Sequence, residues 1–164
     1  MLTASSREHI ALAGRLGSGP ALGPNTQGPM AMNPEWITEM DAAPPQRLCA
    51  SDELLERGKA VSFDVIQWRE HVRAFALRFE GQAVAYLNRC AHVPTEMDWQ
   101  EGEFLDHDKR FIMCSIHGAV YDPLTGQCLM GPCNRGRLTK IELTERGGEV
   151  FWHPTRDTKP AFED

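Results

Sequence analysis

Two short motifs constrain this chain more than anything else in it. Cys90-Ala91-His92 is followed, after 21 residues (93 to 113), by Cys114-Ser115-Ile116-His117. Each half supplies one thiolate and one imidazole, so the fold has to bring two separate segments within metal-ligand distance of each other. Two Cys and two His can make a tetrahedral zinc site, but zinc motifs usually leave about two to four residues between paired cysteines and about three to five between paired histidines. Here each half pairs unlike donors, and the first gap is a single residue. The same donors suit two irons joined by sulfide, one held by the two Cys and one by the two His. Gly118-Ala119-Val120-Tyr121-Asp122, Thr125-Gly126 and Gly131-Pro132 follow directly, and a zinc site leaves them unexplained.

Around the motifs the texture is that of short strands. Ala60 to Ile66 carries Val61, Phe63 and Val65 on one face. Phe75-Ala76-Leu77-Arg78-Phe79 alternates, Glu80-Gly81-Gln82 supplies a turn, and Ala83 to Leu87 returns as the second arm of a hairpin. Phe111-Ile112-Met113 runs straight into Cys114, and Leu138 to Leu143 and Glu149 to Trp152 flank a second hairpin signal at Glu145-Arg146-Gly147-Gly148. Only Asp52 to Arg57 has a helical look, for a turn or two. This spacing predicts a small all-β sandwich or barrel, with the ligand segments in loops at strand ends.

Residues 1–46 differ from the rest. Gly14, Gly17, Gly19, Pro20, Gly23, Pro24, Gly28 and Pro29 interrupt them too often for regular structure. The expectation is a mobile N-terminal extension over 1–46, a domain over 47–154 and a C-terminal tail over 155–164. A formal net charge of −6 argues against nonspecific nucleic-acid binding. No run approaches the roughly 18 apolar residues of a membrane span, and no secretory leader is visible. A cytoplasmic protein is expected.

Taken together, the two motifs, the Gly-x-x-Tyr-Asp behind them and the later Gly-Pro resemble the Rieske 2Fe-2S family, over roughly Arg47 to Pro154. The resemblance implies a Rieske-type antiparallel β sandwich or barrel with a cluster-binding subdomain, and a 2Fe-2S cluster. It implies Cys90 and Cys114 on an inner iron and His92 and His117 on an outer, more exposed one. It also places Gly118, Ala119, Tyr121, Gly131 and Pro132 around the cluster. A side chain at Gly118 is expected to crowd the ligand loop, and Gly131-Pro132 resembles the family's third loop, which covers the cluster. High-potential members carry Ser where Ala119 stands and Tyr where Tyr121 stands, each donating a hydrogen bond to a sulfur. This chain keeps one donor and lacks the other, which implies a potential in the lower part of the family's range.

Those members also carry a disulfide joining the ligand loops, at positions occupied here by Thr95 and Ile116. Cys128 and Cys133 lie elsewhere, around Gly131-Pro132, and are expected to be free thiols, because a cytoplasmic disulfide is unusual. Cys49 is expected to be a small buried apolar residue. The spacer between the motifs is acidic, with Glu96, Asp98, Glu101, Glu103, Asp106 and Asp108, and it interleaves Trp99 and Phe104. A solvated connection with both aromatics packed underneath is expected; a docking patch for a basic partner is the alternative. His9, His71, His107 and His153 lack ligand-like spacing.

For an isolated domain of this size, the resemblance to the Rieske family implies the carriage of one electron and little else. The resemblance implies a soluble ferredoxin-like carrier, serving a redox system rather than acting as an enzyme alone. It would receive electrons from a flavin-dependent reductase and pass them to a terminal oxygenase or another redox enzyme. The alternatives are a small subunit of a larger reductase of the nitrite reductase type and a zinc-binding interaction module.

Overall fold

The computed structural model describes residues 43–161. The expected mobile extension over 1–46 falls almost wholly outside the described residues. Eleven strands follow one another: β1 (Gln46–Ala50), β2 (Val61–Gln67), β3 (Glu70–Phe79), β4 (Gln82–Leu87), β5 (Ile112–Met113), β6 (Val120–Tyr121), β7 (Cys128–Met130), β8 (Lys140–Ile141), β9 (Leu143–Arg146), β10 (Glu149–Trp152) and β11 (Thr158–Pro160). They form three antiparallel sheets, in the orders β1-β10-β9, β11-β2-β3-β4-β8 and β5-β6-β7. The expected all-β class holds. No helix among the described residues is long and apolar enough to cross a membrane.

Three hairpins organise the first two of these sheets, and each turns on two residues of positive φ: Trp68 and Arg69, Glu80 and Gly81, Gly147 and Gly148. Such turns match the right-handed twist of the strands they join. The glycine turns were visible in the sequence. The Trp68-Arg69 turn was not, because neither residue signals a turn, and β3 therefore starts earlier than the alternation at Phe75 suggested.

The β3–β4 hairpin buries both of its faces. Phe75, Leu77 and Phe79 of β3 join Val84 and Tyr86 of β4 in one core, which also contains Cys90, Met97, Phe104, Ile112, Cys114, Ala119 and Tyr121. The alternate residues Val72, Ala74, Ala76, Ala85 and Leu87 face a second core with Cys49, Leu54, Val65, Ile141, Val150 and Trp152. Cys49 is buried, as expected. In the first core the Phe75 ring lies flat on Phe104, with centroids 3.6 Å apart. Full burial of one such ring contributes about 1.5–3 kcal/mol.

Two expectations need correction here. Asp52 to Arg57 is not helical beyond a 3-10 turn at Ser51–Glu53. Its side chains serve neighbouring backbone instead: Glu53 accepts from the Ala50 N–H at 2.8 Å, and Glu56 accepts from the N–H groups of Glu80 and Gly81 at 2.7 and 2.9 Å. Arg78 anchors the same segment by donating to the Leu54 and Ser51 carbonyls and to both oxygens of Glu145. The second correction concerns the expected tail over 155–164. Its residues Thr158–Pro160 pair with Val65–Gln67 as an edge strand, a place where Pro160, having no N–H, leaves no ladder bond unmade.

Candidate metal centre

Two loops leaving the strands carry the four predicted donors. The first follows β4 and is pinned by Asn88, which is 3% exposed. Its side-chain amide donates to Asp98 Oδ1 at 2.7 Å and accepts from the Met97 N–H at 2.8 Å. The Cys90 N–H donates to the Thr95 carbonyl at 3.0 Å, closing the turn that contains Cys90 and His92. The second loop leaves β5. It closes through Gly118 N–H to the Cys114 carbonyl and Cys114 N–H to the Ala119 carbonyl, both 2.8 Å. Ser115 N–H donates to the Met97 carbonyl at 2.8 Å and ties the loops together. Sequence reasoning missed Asn88, whose only signal was a polar residue at the end of an apolar strand.

The fold brings Cys90, Cys114 and His117 together, with their ligand atoms within 4.8 Å of one another. The His92 ring stands edge-on to the His117 ring, with centroids 4.9 Å apart. The two cysteines are buried, at 2% and 0% exposure, whereas His117 is half-buried and His92 is exposed. Sulfur lies inside and nitrogen outside.

The sulfurs sit among donors. The Ala91 N–H donates to Tyr121 Oη at 3.0 Å, which leaves the phenol proton for Cys90 Sγ, 3.2 Å away. Burial holds the Tyr121 phenol well above its ordinary range, and the Cys90 sulfur adds to this, so the hydroxyl stays protonated. Burial pushes the Cys90 thiol up. Hydrogen bonds from Tyr121, His117 and the N–H groups of His92 and Val93 outweigh it and bring the thiol down to about 7. Burial raises the Cys114 thiol, and its neighbour Cys90 opposes a second negative charge. Two adjacent buried sulfurs of this kind can both ionise only with cationic metal between them. The donor set therefore fits a 2Fe-2S cluster: paired sulfurs inside, paired imidazoles outside, amides and a hydroxyl aimed at sulfur.

The surrounding residues match in part. Ala119 is fully buried and offers only a methyl group. Gly118 is needed for a reason other than the one expected. A Cβ there would meet no protein atom within 4 Å, but φ is +68°, a conformation costly for other residues. Gly131 is the crowded one: a Cβ would come within 2.7 Å of the Gly118 carbonyl oxygen and 3.0 Å of Ala119 Cα. The third loop, with half-buried Pro132, thus lies directly on the second ligand loop. Cys128 and Cys133 are not free thiols; they form a disulfide within that third loop.

In the spacer, Phe104 is packed underneath as expected, but Trp99 is 78% exposed. Most of the acids are engaged within the fold. Asp98 accepts from Asn88 and from the Gly102 N–H, Glu101 pairs with Arg73, Glu103 with Lys59 and Lys109, and Asp106 accepts from the N–H groups of Arg110 and Phe111. His71 and His107 are exposed and His153 meets Thr144 Oγ1; His9 lies outside the described residues.

A fold and donor set of this kind define an iron–sulfur protein of the mixed Cys/His type. Residues 45–144 match the family model for the Rieske [2Fe-2S] domain, and the chain belongs to that family, with a 2Fe-2S cluster as its cofactor. No curated protein matches the chain. Among solved structures, the ferredoxin of carbazole 1,9a-dioxygenase from Nocardioides aromaticivorans IC177 is similar at 20% identity and a TM-score of 0.53, over 69% of this chain and all of that one. A Sphingomonas yanoikuyae B1 ferredoxin is similar at 22% identity and a TM-score of 0.51, over 68% of this chain and all of that one. The terminal oxygenase of carbazole 1,9a-dioxygenase from the same Nocardioides shares the fold at 21% identity and a TM-score of 0.50, over 73% of this chain but 31% of its own.

Proposed function

We propose that this chain is a one-electron carrier in which Cys90 and Cys114 hold the inner iron and His92 and His117 the outer one. In this reading it takes electrons from a flavin-dependent reductase and passes them to a terminal oxygenase or another redox enzyme. The observation that carries the reading is the gradient of exposure across the site, from buried sulfur to open imidazole. Electrons then enter and leave through the imidazole edge, while the first core keeps water from the sulfurs. The cluster supplies a reversible one-electron couple. The chain's own groups tune it: Tyr121 donates to Cys90, the loop amides donate to both sulfurs, and Ala119 withholds a further donor. The ferredoxin likeness over the whole length of the comparison chains supports the same reading.

The experiment is to purify the protein anaerobically and measure iron, sulfide and EPR. Two irons and two sulfides per chain are expected, with a rhombic signal on reduction whose average g lies below the free-electron value. Reversible one-electron cycling of the isolated protein is expected as well. One zinc per chain with no sulfide overturns the reading.

A further inference from the structure

Outside the four donors, the most unusual chemistry near the site is the Cys128–Cys133 disulfide. It spans the third loop and no other part of the chain. Cys128 sits in β7 directly opposite Tyr121, the residue whose hydroxyl reaches Cys90. Cys133 is 3% exposed and belongs to the same core as Cys90, Cys114, Ala119 and Tyr121. Between and just beyond the two cysteines, the loop touches both ligand loops. Gly131 lies on Gly118 and Ala119, and Gly136 lies so close to Ala91 that a Cβ would come within 2.9 Å of the alanine methyl.

The loop is also strained. Asn134 and Arg135 are consecutive non-glycine residues of positive φ, at 33° and 62°. The bonds that offset that strain are Gly136 N–H to the Cys133 carbonyl at 2.7 Å, Cys128 N–H to the Gly136 carbonyl at 2.9 Å, two long contacts from Gln127 at 3.3 Å, and, at the base of the loop, Arg137 donating to Gln127 Oε1 at 3.0 Å. A strained segment persists only when its surroundings over-determine it. Here a covalent link is added to those bonds. Its two sulfurs differ in access. Cys128 is half-buried and followed by the exposed Leu129 and Met130, at 47% and 61%, whereas Cys133 is buried.

We propose that the Cys128–Cys133 disulfide is a thiol-responsive clamp that holds the third loop against both ligand loops and so controls how long the cluster is retained. The proposal rests on the ligand assignment above. In the opening step a dithiol's thiolate attacks Cys128 Sγ and the Cys128–Cys133 bond breaks, leaving Cys133 as the departing sulfur. The dithiol's second thiol then closes on the mixed disulfide. Two electrons and two protons pass from the dithiol to the chain, which ends with two thiols, and the reagent ends as its own cyclic disulfide. The freed loop relaxes away from Gly118, Ala119 and Ala91 and admits water to the sulfurs.

The test uses cluster-loaded full-length protein and dithiothreitol under nitrogen. Peptide mass spectrometry reads the state of Cys128 and Cys133, and visible absorbance after exposure to air reads cluster loss. A Cys128→Ser/Cys133→Ser protein is the control for direct attack of the reagent on iron. As purified, the wild type is expected to show the linked peptide. Dithiothreitol is expected to speed its bleaching about 10-fold or more, if the roughly 10- to 100-fold loss of metal affinity that follows removal of an outer support is expressed as faster release. Reoxidation of the treated sample is expected to restore slow bleaching. The double variant is expected to bleach fast from the start, unaffected by the reagent. The reduced and oxidised wild type are also expected to differ in reduction potential, which a purely structural loop far from the cluster would not produce. Free thiols at both positions in the loaded protein overturn the clamp, as does unchanged bleaching after complete reduction. A double variant that does not fold leaves the reduction and reoxidation of wild type to decide. Wild type purified without iron and sulfide overturns the ligand assignment and the clamp together, whereas a loaded protein indifferent to reduction overturns the clamp alone.

Discussion

Tyr121→Phe isolates a single hydrogen bond at the site. The ring is fully buried and would stay in place, so the change removes the hydroxyl and little else. Two contacts go with it: the donation to Cys90 Sγ at 3.2 Å and the acceptance from the Ala91 N–H at 3.0 Å. The first favours whichever redox state places more negative charge on sulfur, which is the reduced one. If the bond is worth about 1 kcal/mol more in the reduced state, a typical net hydrogen-bond value, the potential falls by about 40 mV, since a one-electron couple moves about 59 mV for every 1.4 kcal/mol. The second contact sets the cost in stability. Ala91 is exposed, so water can take up its N–H, and the loss should sit near the low end of the about 1–3 kcal/mol range for an orphaned donor. Protein-film voltammetry on both proteins at one pH measures the shift, and EPR of the reduced forms checks that the ligands are unchanged. A potential that rises, or stays within about 10 mV of wild type when the 40 mV above is expected, refutes the hydrogen-bond argument. So does a fall several times larger with an altered EPR signal, because the cluster would then have changed its ligands.

Further outcomes follow from other contacts at the site and in the cores. Cys90→Ser and Cys114→Ser should each yield colourless protein by absorbance and iron analysis, because each removes a buried sulfur that a serine hydroxyl replaces poorly as a soft-metal donor. Ala119→Ser should raise the potential by an amount similar to the Tyr121 effect, about 40 mV, by adding a buried donor beside the sulfurs; an unchanged potential by voltammetry would show that this position does not reach them. The Arg78 guanidinium, bonded to both oxygens of Glu145, holds that carboxyl below its ordinary range. A depressed carboxyl contributes stability that is fully present above the ordinary value of 4.5 and is lost as pH falls through the lower folded value. Thermal melts of wild type and Glu145→Gln should therefore differ by up to about 1 kcal/mol at neutral pH, since the pair is partly exposed, and should converge in acid.

The parts of this protein readable from its sequence are those set by neighbours along the chain. Donor chemistry is a property of residue type and short spacing, so Cys90-x-His92 and Cys114-x-x-His117 could be picked out as candidate donors before any fold was known. The Tyr121 hydroxyl falls in the same class, as do the glycine-bearing hairpin turns at Gly81 and Gly147-Gly148, because backbone conformation there depends on the residue occupying the turn. Other features required the tertiary structure, because they depend on what distant segments do to a side chain. Trp99 and Phe104 share one acidic spacer, yet only Phe104 finds a ring to stack on, and that ring, Phe75, comes from a strand far earlier in the chain. The alternation of β3 suggested one buried face; two cores close on the hairpin from opposite sides, so both are buried. Asp98 looked like surface charge until Asn88 was placed beside it. Cys128 and Cys133 were compatible with thiols or a disulfide at their spacing. The choice rested on where the third loop lies, and that loop is held by Gly118, Ala119 and Ala91, residues whose positions the two ligand loops decide.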